Sequence, residues 1–314
     1  MVPPVSNRLR DAIVAARAPN HRIAQAWRDG DPIRRLRDAW DGVADVETAA
    51  THAARLLADR AWVAAIFAPL IDALAADPLF DPPFKVSRDA LRTSARIHDC
   101  PTGSLTATLL SAAALRRSKP ATTIVVPGRL SIMRVHVGGG ATLRRWRAEQ
   151  VAGDFTLATA GPAHPLPRLA LDDGVVLRID GRSDAMLITN AARDVVTLTA
   201  TLRIGAAPVM REYDRHDGRA RRGATLDERA ARSQMLLTLL RANGRGDCGP
   251  AFDAASRDPA FFVRWDAMRQ WLASDAESAV TRLTEMAASD PNDDIRTLAG
   301  ATLVQVAAAR AAHA

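Results

Sequence analysis

The residues with most chemistry to offer stand in and just beyond one stretch, Gly128 to Gln150, GRLSIMRVHVGGGATLRRWRAEQ. His136 lies two residues from Arg134, so on a strand the two share a face, and His136 is a candidate general acid or base. Trp146 stands among Arg144, Arg145 and Arg147. That set stacks on and pairs with an anionic or aromatic ligand, or else is one core aromatic flanked by solvated arginines. Further along, His164 sits between prolines, and Asp214, His216 and Asp217 crowd a short DRHDG segment beside Tyr213. Arg134, Arg144, Trp146, His164, Asp214 and His216 are thus candidate ligand-binding residues. The triplet His98, Asp99, Cys100 offers three ligand types in a row, but adjacent side chains rarely converge on one ion, and it reads as a polar turn.

Several activities lose their support at this level. The chain has no GxGxxG after a strand, no GxxxxGK[ST], no GxSxG and no HExxH, so dinucleotide, nucleotide, serine-hydrolase and zinc-protease readings through those motifs fall away. Its two cysteines, Cys100 and Cys248, are far apart and without CxxC or CxxH partners, which predicts free thiols. The net charge of +7 raises nucleic acid as a partner. Lys occurs only at Lys85 and Lys119, however, and the arginines are spread along the chain rather than gathered into one phosphate-binding face. No apolar run reaches the length of a membrane span, and the N-terminus has no apolar core of a secretory signal, so a cytoplasmic protein without a membrane partner is expected.

At 314 residues the chain has room for about two domains. Residues 1–119 read as helical: Ile13, Ile23, Trp27, Ile33, Leu36 and Trp40 recur at spacings of mostly three or four, and Asp31-Pro32 reads as a helix start. The proline-rich Asp77 to Lys85 is a connector. From residue 120 the period changes to two. Strands are predicted at Thr122–Val126, Leu130–Val137, Thr142–Ala148, Phe155–Ala158, Val175–Ile179, Ala185–Thr189 and Val195–Ile204, with turns at Gly138–Gly140, Gly153-Asp154, Asp172–Gly174 and Asp180–Arg182. Short strands near ten residues apart, with no helical crossover between them, point to an antiparallel sandwich or barrel over 120–222. Pro208 to Gly223 reads as an exposed loop. Residues 223–314 are helical again: Thr225 and Glu228 form a capping box, and Ala231, Met235, Leu236, Leu239 and Leu240 make the apolar face of the first helix.

Two resemblances follow. The strand, glycine turn and strand at Val135 to Trp146, with the later Asp172–Gly174 turn leading into VVLRIDGRSDAMLITNA, resemble a cupin-like barrel. That family holds a divalent metal with two histidines spaced HxH, a nearby Glu and a third His. Here His136 has Arg134 and Gly138 at the alternate positions, Glu149 lies in the place of the acidic ligand, and His164 is in a loop, so no metal is expected. The resemblance leaves His136 and Glu149 as the catalytic candidates. AVTRLTEMAASDPNDDIRTLAGATLVQVA resembles a HEAT-type helical repeat, in which an acidic turn caps the second helix and an Arg ties neighbouring repeats. The fold expected is therefore α+β, a central cupin-like antiparallel β-sandwich or barrel between an N-terminal helical region and a C-terminal HEAT-like one.

The function expected first is a non-catalytic binding or regulatory protein acting through protein contacts, with a protein partner or a second copy of itself. A cupin-like oxygenase or isomerase with a degenerate metal site is the alternative, and Arg-mediated nucleic-acid binding the second. No cofactor is named by these residues.

Overall fold

The computed structural model describes residues 7–151, 160–244 and 246–313. One compact unit takes in the described residues up to 150 together with 160–223, and a second those from 224 onward. The first opens with four helices, α1 (Asn7–Arg28), α2 (Asp31–Trp40), α3 (Val46–Ala58) and α4 (Arg60–Ala76). Local chemistry sets their starts. Asp45 and Asp59 accept the N–H groups of Thr48 and Trp62, each three residues on, and so cap α3 and α4. Gly30 rather than Asp31 occupies the cap of α2, with Asp31 and Pro32 already in its first turn. Trp27, Ile33, Leu36 and Trp40 are all buried, whereas Ile13 is exposed.

The strands of this unit are β1 (Lys85–Arg88), β2 (Arg92–Asp99), β3 (Gly103–Leu110), β4 (Thr123–Val126), β5 (Leu130–Val137), β6 (Thr142–Arg147), β7 (His164–Ala170), β8 (Val176–Asp180), β9 (Asp184–Thr189), β10 (Val195–Leu202), β11 (Val209–Asp214) and β12 (Ala220–Thr225). A six-stranded antiparallel sheet runs β1-β2-β3-β10-β5-β8, and two three-stranded sheets run β12-β11-β4 and β7-β6-β9. None closes on itself among the described residues.

The large sheet is buried on both sides over β5. Leu130 and Ile132 join a core with Leu36, Trp40, Leu57 and Ile66 of the helices, while Met133 and Val135 join Leu143 of β6 in a second core. The helices and the smaller β7-β6-β9 sheet therefore cover opposite faces of one sheet. The mixed helix and antiparallel sheet composition agrees with the α+β expectation.

The proline-rich connector forms as expected before β1, but the helical reading of residues 86–119 is corrected. Only α5 (Ala112–Arg117) is helical there, and β1, β2 and β3 form a meander. Leu105 and Ala107 face the helices, and Thr106 and Thr108 pair across the sheet with Thr199 and Thr197. Facing β-branched pairs suit a pleated surface better than a helix, so pairing with β10 decides the conformation of an apolar run that is ambiguous alone. The first four helices also share their core with the sheet, so residues 1–119 are not a separate helical body.

Pro208 to Gly223 is likewise a strand pair rather than a loop. The buried side chains of β11 are Arg211 and Tyr213, 1% and 0% exposed, and an inward arginine reads as polar in a sequence pattern. β7 carries Pro165 and Pro167, which a strand tolerates at a sheet edge, and β7 is an edge. The turns at Gly138–Gly140 and Asp180–Arg182 form as expected, the latter with Arg182 and Asp180 paired at 2.7 Å. The predicted strand Phe155–Ala158 and turn Gly153-Asp154 lie outside the described residues.

The second unit comprises α6 (Glu228–Ala242), α7 (Gly249–Ala255), α8 (Phe261–Ser274), α9 (Ala276–Ser289) and α10 (Asp293–His313). Asp227, not Thr225, caps α6: its carboxylate accepts from Arg229 N and Ala230 N, while the Thr225 hydroxyl accepts from Asp227 N. Ala230 and Leu237 face inward and Leu240 packs against the same core, so only part of the apolar face expected of α6 is covered, and Met235, Leu236 and Leu239 are exposed at 73%, 53% and 55%. Phe252, Met268, Trp271, Leu283, Met286 and Ile295 fill the core. Cys100 and Cys248 are both free thiols. No described helix is long and apolar enough to cross a membrane.

Candidate functional site

Five of the expected ligand-binding residues, Arg144, Trp146, His164, Asp214 and His216, line one cavity of about 710 Å³ in the first unit. They come from three places in the chain. Strand β6 supplies Arg144 and Trp146 two residues apart on one face; the start of β7 supplies His164; the turn between β11 and β12 supplies the rest.

Trp146 is 3% exposed and belongs to a small core with Ile124, Val126, Ala185 and Tyr213. Arg144 lies over its ring, 5.2 Å from the centroid, a cation–π contact that holds the guanidinium at the cavity wall. Its neighbours on β6 are engaged elsewhere. Arg145 donates to Pro167 O at 3.3 Å, and Arg147 forms a two-pronged pair with Asp184 at 2.9 and 3.1 Å. The arginine cluster of the sequence is therefore one cavity residue and two that tie down strands.

The β11–β12 turn is built tightly against the segment before β7. Ala163 N donates to Gly218 O at 2.8 Å, and a Cβ on Gly218 would come within 2.4 Å of Ala163 O. Gly218 has φ +72°, so both space and backbone conformation require glycine there. Asp214 organises the turn. Its Oδ1 accepts from His216 N at 2.7 Å and Asp217 N at 3.3 Å, and its Oδ2 from Arg221 Nη2 at 2.8 Å. The His216 N–H first, then the Arg221 guanidinium, hold its carboxyl below the usual range.

Below this lies a buried cation. Arg211 donates to Glu149 O, Tyr213 Oη and Arg182 O at 2.7, 2.8 and 2.8 Å, and its guanidinium sits 5.6 Å from the Tyr213 ring centroid. Burial pushes the Arg211 pKa down and the Tyr213 pKa up. Hydrophobic periodicity gave no sign of this pair, because its inward residues are a charge and a phenol.

The other expected site residues are elsewhere. Arg134 is 4% exposed and donates Nη1 to Leu57 O at 2.7 Å, in the last turn of α3. It binds a helix C-terminus rather than a ligand. His136 follows it on the helix-covered face of β5, at an exposed position, and so points away from the Met133 and Val135 side. Glu149 is exposed beyond β6, and its backbone carbonyl serves Arg211. Neither His136 nor Glu149 lines the cavity, so the pairing expected of a catalytic site is not found there.

Among the described residues no three His, Cys, Asp or Glu side chains come together as a metal ion would need. The triplet expected as a polar turn instead closes a strand: His98 and Asp99 end β2 and Cys100 follows them, with Arg203 clamping Asp99 and the Cys100 carbonyl.

No family model and no curated protein matches the chain. Among solved structures it is similar to CapF in complex with the inhibitor 3-isopropenyl-tropolone, at 13% identity over 46% of this chain and 37% of that one, with a TM-score of 0.26. It is also similar to the 7S globulin of Momordica charantia, at 12% over 43% and 36%, with a TM-score of 0.26. A third is a sugar phosphate isomerase from a cupin superfamily of Silicibacter pomeroyi, at 14% over 44% and 80%, with a TM-score of 0.24. The chain spans little more than a third of the length of the first two. At TM-scores this low the likenesses carry no argument about activity.

Proposed function

We propose that the protein is a non-catalytic binding or regulatory protein whose first unit takes a small ligand in the cavity between Trp146 and the β11–β12 turn. The observation that carries this reading is the commitment of Asp214. It lines the cavity two residues from His216, and both its oxygens already accept from His216 N, Asp217 N and Arg221, while Asp217, the other carboxylate of the lining, accepts from Arg219 N. A general base needs an orienting partner within hydrogen-bond reach, and a carboxylate spent on its own turn does not supply one. The volume suits a metabolite-sized ligand.

In the same reading the antiparallel sheets make a cupin-like body that serves as a scaffold, and the helices from Glu228 onward act as a HEAT-like module offering surface to a protein partner. Supporting the second point, α8, α9 and α10 follow one another through short turns at Asp275 and Asp290, and α6 leaves Met235, Leu236 and Leu239 exposed. Arg-mediated nucleic-acid binding is the less favoured reading, because Arg147, Arg178, Arg182, Arg203, Arg221 and Arg264 are each paired with a carboxylate.

The test is to incubate the full chain with a pool of small metabolites and to identify by mass spectrometry what it retains. A molecule retained stoichiometrically and recovered unchanged supports binding. Its conversion to product over repeated turnovers overturns the non-catalytic reading.

A further inference from the structure

The charges lining the cavity are less balanced than their number suggests. Both acidic residues are turned into their own hairpin: Asp214 as described, and Asp217 toward Arg219, whose N–H it accepts at 2.9 Å and whose Nε lies 3.9 Å from its other oxygen. The two cationic residues of the lining, Arg144 and Arg215, are not neutralised. Among the described residues neither side chain makes a hydrogen bond or ion pair. Arg144 is held by the Trp146 ring and Arg215 by its main chain, whose N–H donates to Thr122 O at 2.8 Å. Both are partly buried at the cavity wall, and the guanidinium of Arg144 is held there by the ring.

A guanidinium held over an aromatic ring keeps its N–H donors available to another partner, and its planar fork matches a carboxylate or phosphate with two parallel bonds. Pro120, Pro162 and Pro165 give the rest of the wall an apolar, rigid character.

The geometry points to a small-molecule oxyanion as the ligand: an organic phosphate or carboxylate whose acidic group is gripped by Arg144 and Arg215 while its body lies on the proline-lined wall. This rests on the reading of the cavity as a binding site and adds the ligand's class.

Calorimetric titration of the full chain with phenyl phosphate, phenol and inorganic phosphate tests it. Phenyl phosphate is expected to bind more tightly than either fragment. Arg144→Gln and Arg215→Gln are each expected to weaken it about tenfold, the loss of one charge-assisted contact, with the circular dichroism spectrum unchanged. Two outcomes overturn the oxyanion assignment and leave the cavity a binding site: phenol binding as tightly as phenyl phosphate with both variants unaffected, or metabolite retention in the preceding experiment without phenyl phosphate binding. Absence of both probe binding and metabolite retention overturns the assignment together with the binding reading. A single-stranded oligonucleotide that displaces phenyl phosphate and is itself lost in both variants replaces the small molecule with a nucleic-acid backbone, and so overturns the assignment too.

Discussion

Arg134 of β5 donates through Nη1 to the carbonyl of Leu57, 2.7 Å away in the last turn of α3. The contact joins a strand to a helix 77 residues earlier and places a positive charge at the negative end of the helix. It also explains how an arginine is buried in this strand.

Arg134→Met keeps the apolar stem but leaves the Leu57 carbonyl without its donor. The expected loss is about 1.5–3 kcal/mol, the range for a hydrogen bond to a charged group. Chemical denaturation checks it: the midpoint falls with the slope unchanged, and phenyl phosphate still binds, because Arg134 does not line the cavity.

In the second unit Arg264 and Asp290 form a buried pair, 8% and 0% exposed, with contacts of 2.6 and 2.9 Å. Arg264 also donates to the carbonyls of Asp258 and Pro259, and so it holds the turn before α8 to the turn before α10. Arg296, the residue the HEAT-like resemblance singles out, makes contacts near its own helix start, on Asp293 and the Asp290 carbonyl. Asp290→Asn leaves a buried guanidinium without its counter-charge and is expected to cost about 3–5 kcal/mol, read as a lower melting temperature of this unit.

The same pair has a pH signature. Burial works to raise the Asp290 carboxyl, but the Arg264 guanidinium and the Asn292 N–H outweigh it and hold it below its ordinary 3.8. A carboxyl depressed in the folded state stabilises fully above its unfolded value, and that stability is lost as pH falls through the folded value. Wild type should therefore lose stability progressively below pH 3.8, and in Asp290→Asn the contribution of this group to that slope should vanish.

His98 behaves in the opposite direction from a salt-bridged histidine. Burial first, then the nearby Arg37, hold its imidazole below the ordinary 6.5, with Trp40 beside it at 6.3 Å between ring centroids. As pH falls below 6.5 the unfolded chain takes up a proton that the folded chain does not, so the fold is progressively destabilised. His98→Leu should flatten stability between pH 6.5 and the folded value, measured by urea titrations across that range.

The triple glycine separates two requirements. A Cβ at Gly138 would lie 1.7 Å from Leu171 O, and one at Gly139 2.3 Å from Arg193 O, whereas Gly140 has room but a φ of +67°. Gly140→Ala should cost about 1–2 kcal/mol for the left-handed backbone alone. Gly138→Ala should cost more, because backbone must move, and it also threatens the Gly138 N–H bond to Asp173. Melting temperatures of the variants give the order.

The sequence by itself determined what local rules govern. Period-two alternation and β-branched residues mark β4, β5, β6, β8, β9 and β10. Aspartates three residues ahead of a free N–H start α3 and α4, and the glycines of 138–140 make a turn. Ambiguity began where alternation failed. β3 is an apolar run that suits either element, β7 carries prolines, and β11 turns an arginine and a tyrosine inward. Only tertiary pairing resolves such segments, since the partner strand and not the residue supplies the hydrogen bonds. The site divides the same way. Arg144, Trp146, His164, Asp214 and His216 were legible as residue types able to hold a ligand. Alternation, however, puts Arg134 and His136 on one face without saying what covers it, and the tertiary structure covers that face with helices. That choice sends Arg134 to Leu57, leaves His136 outside the cavity, and brings β6, the start of β7 and the β11–β12 turn around one space.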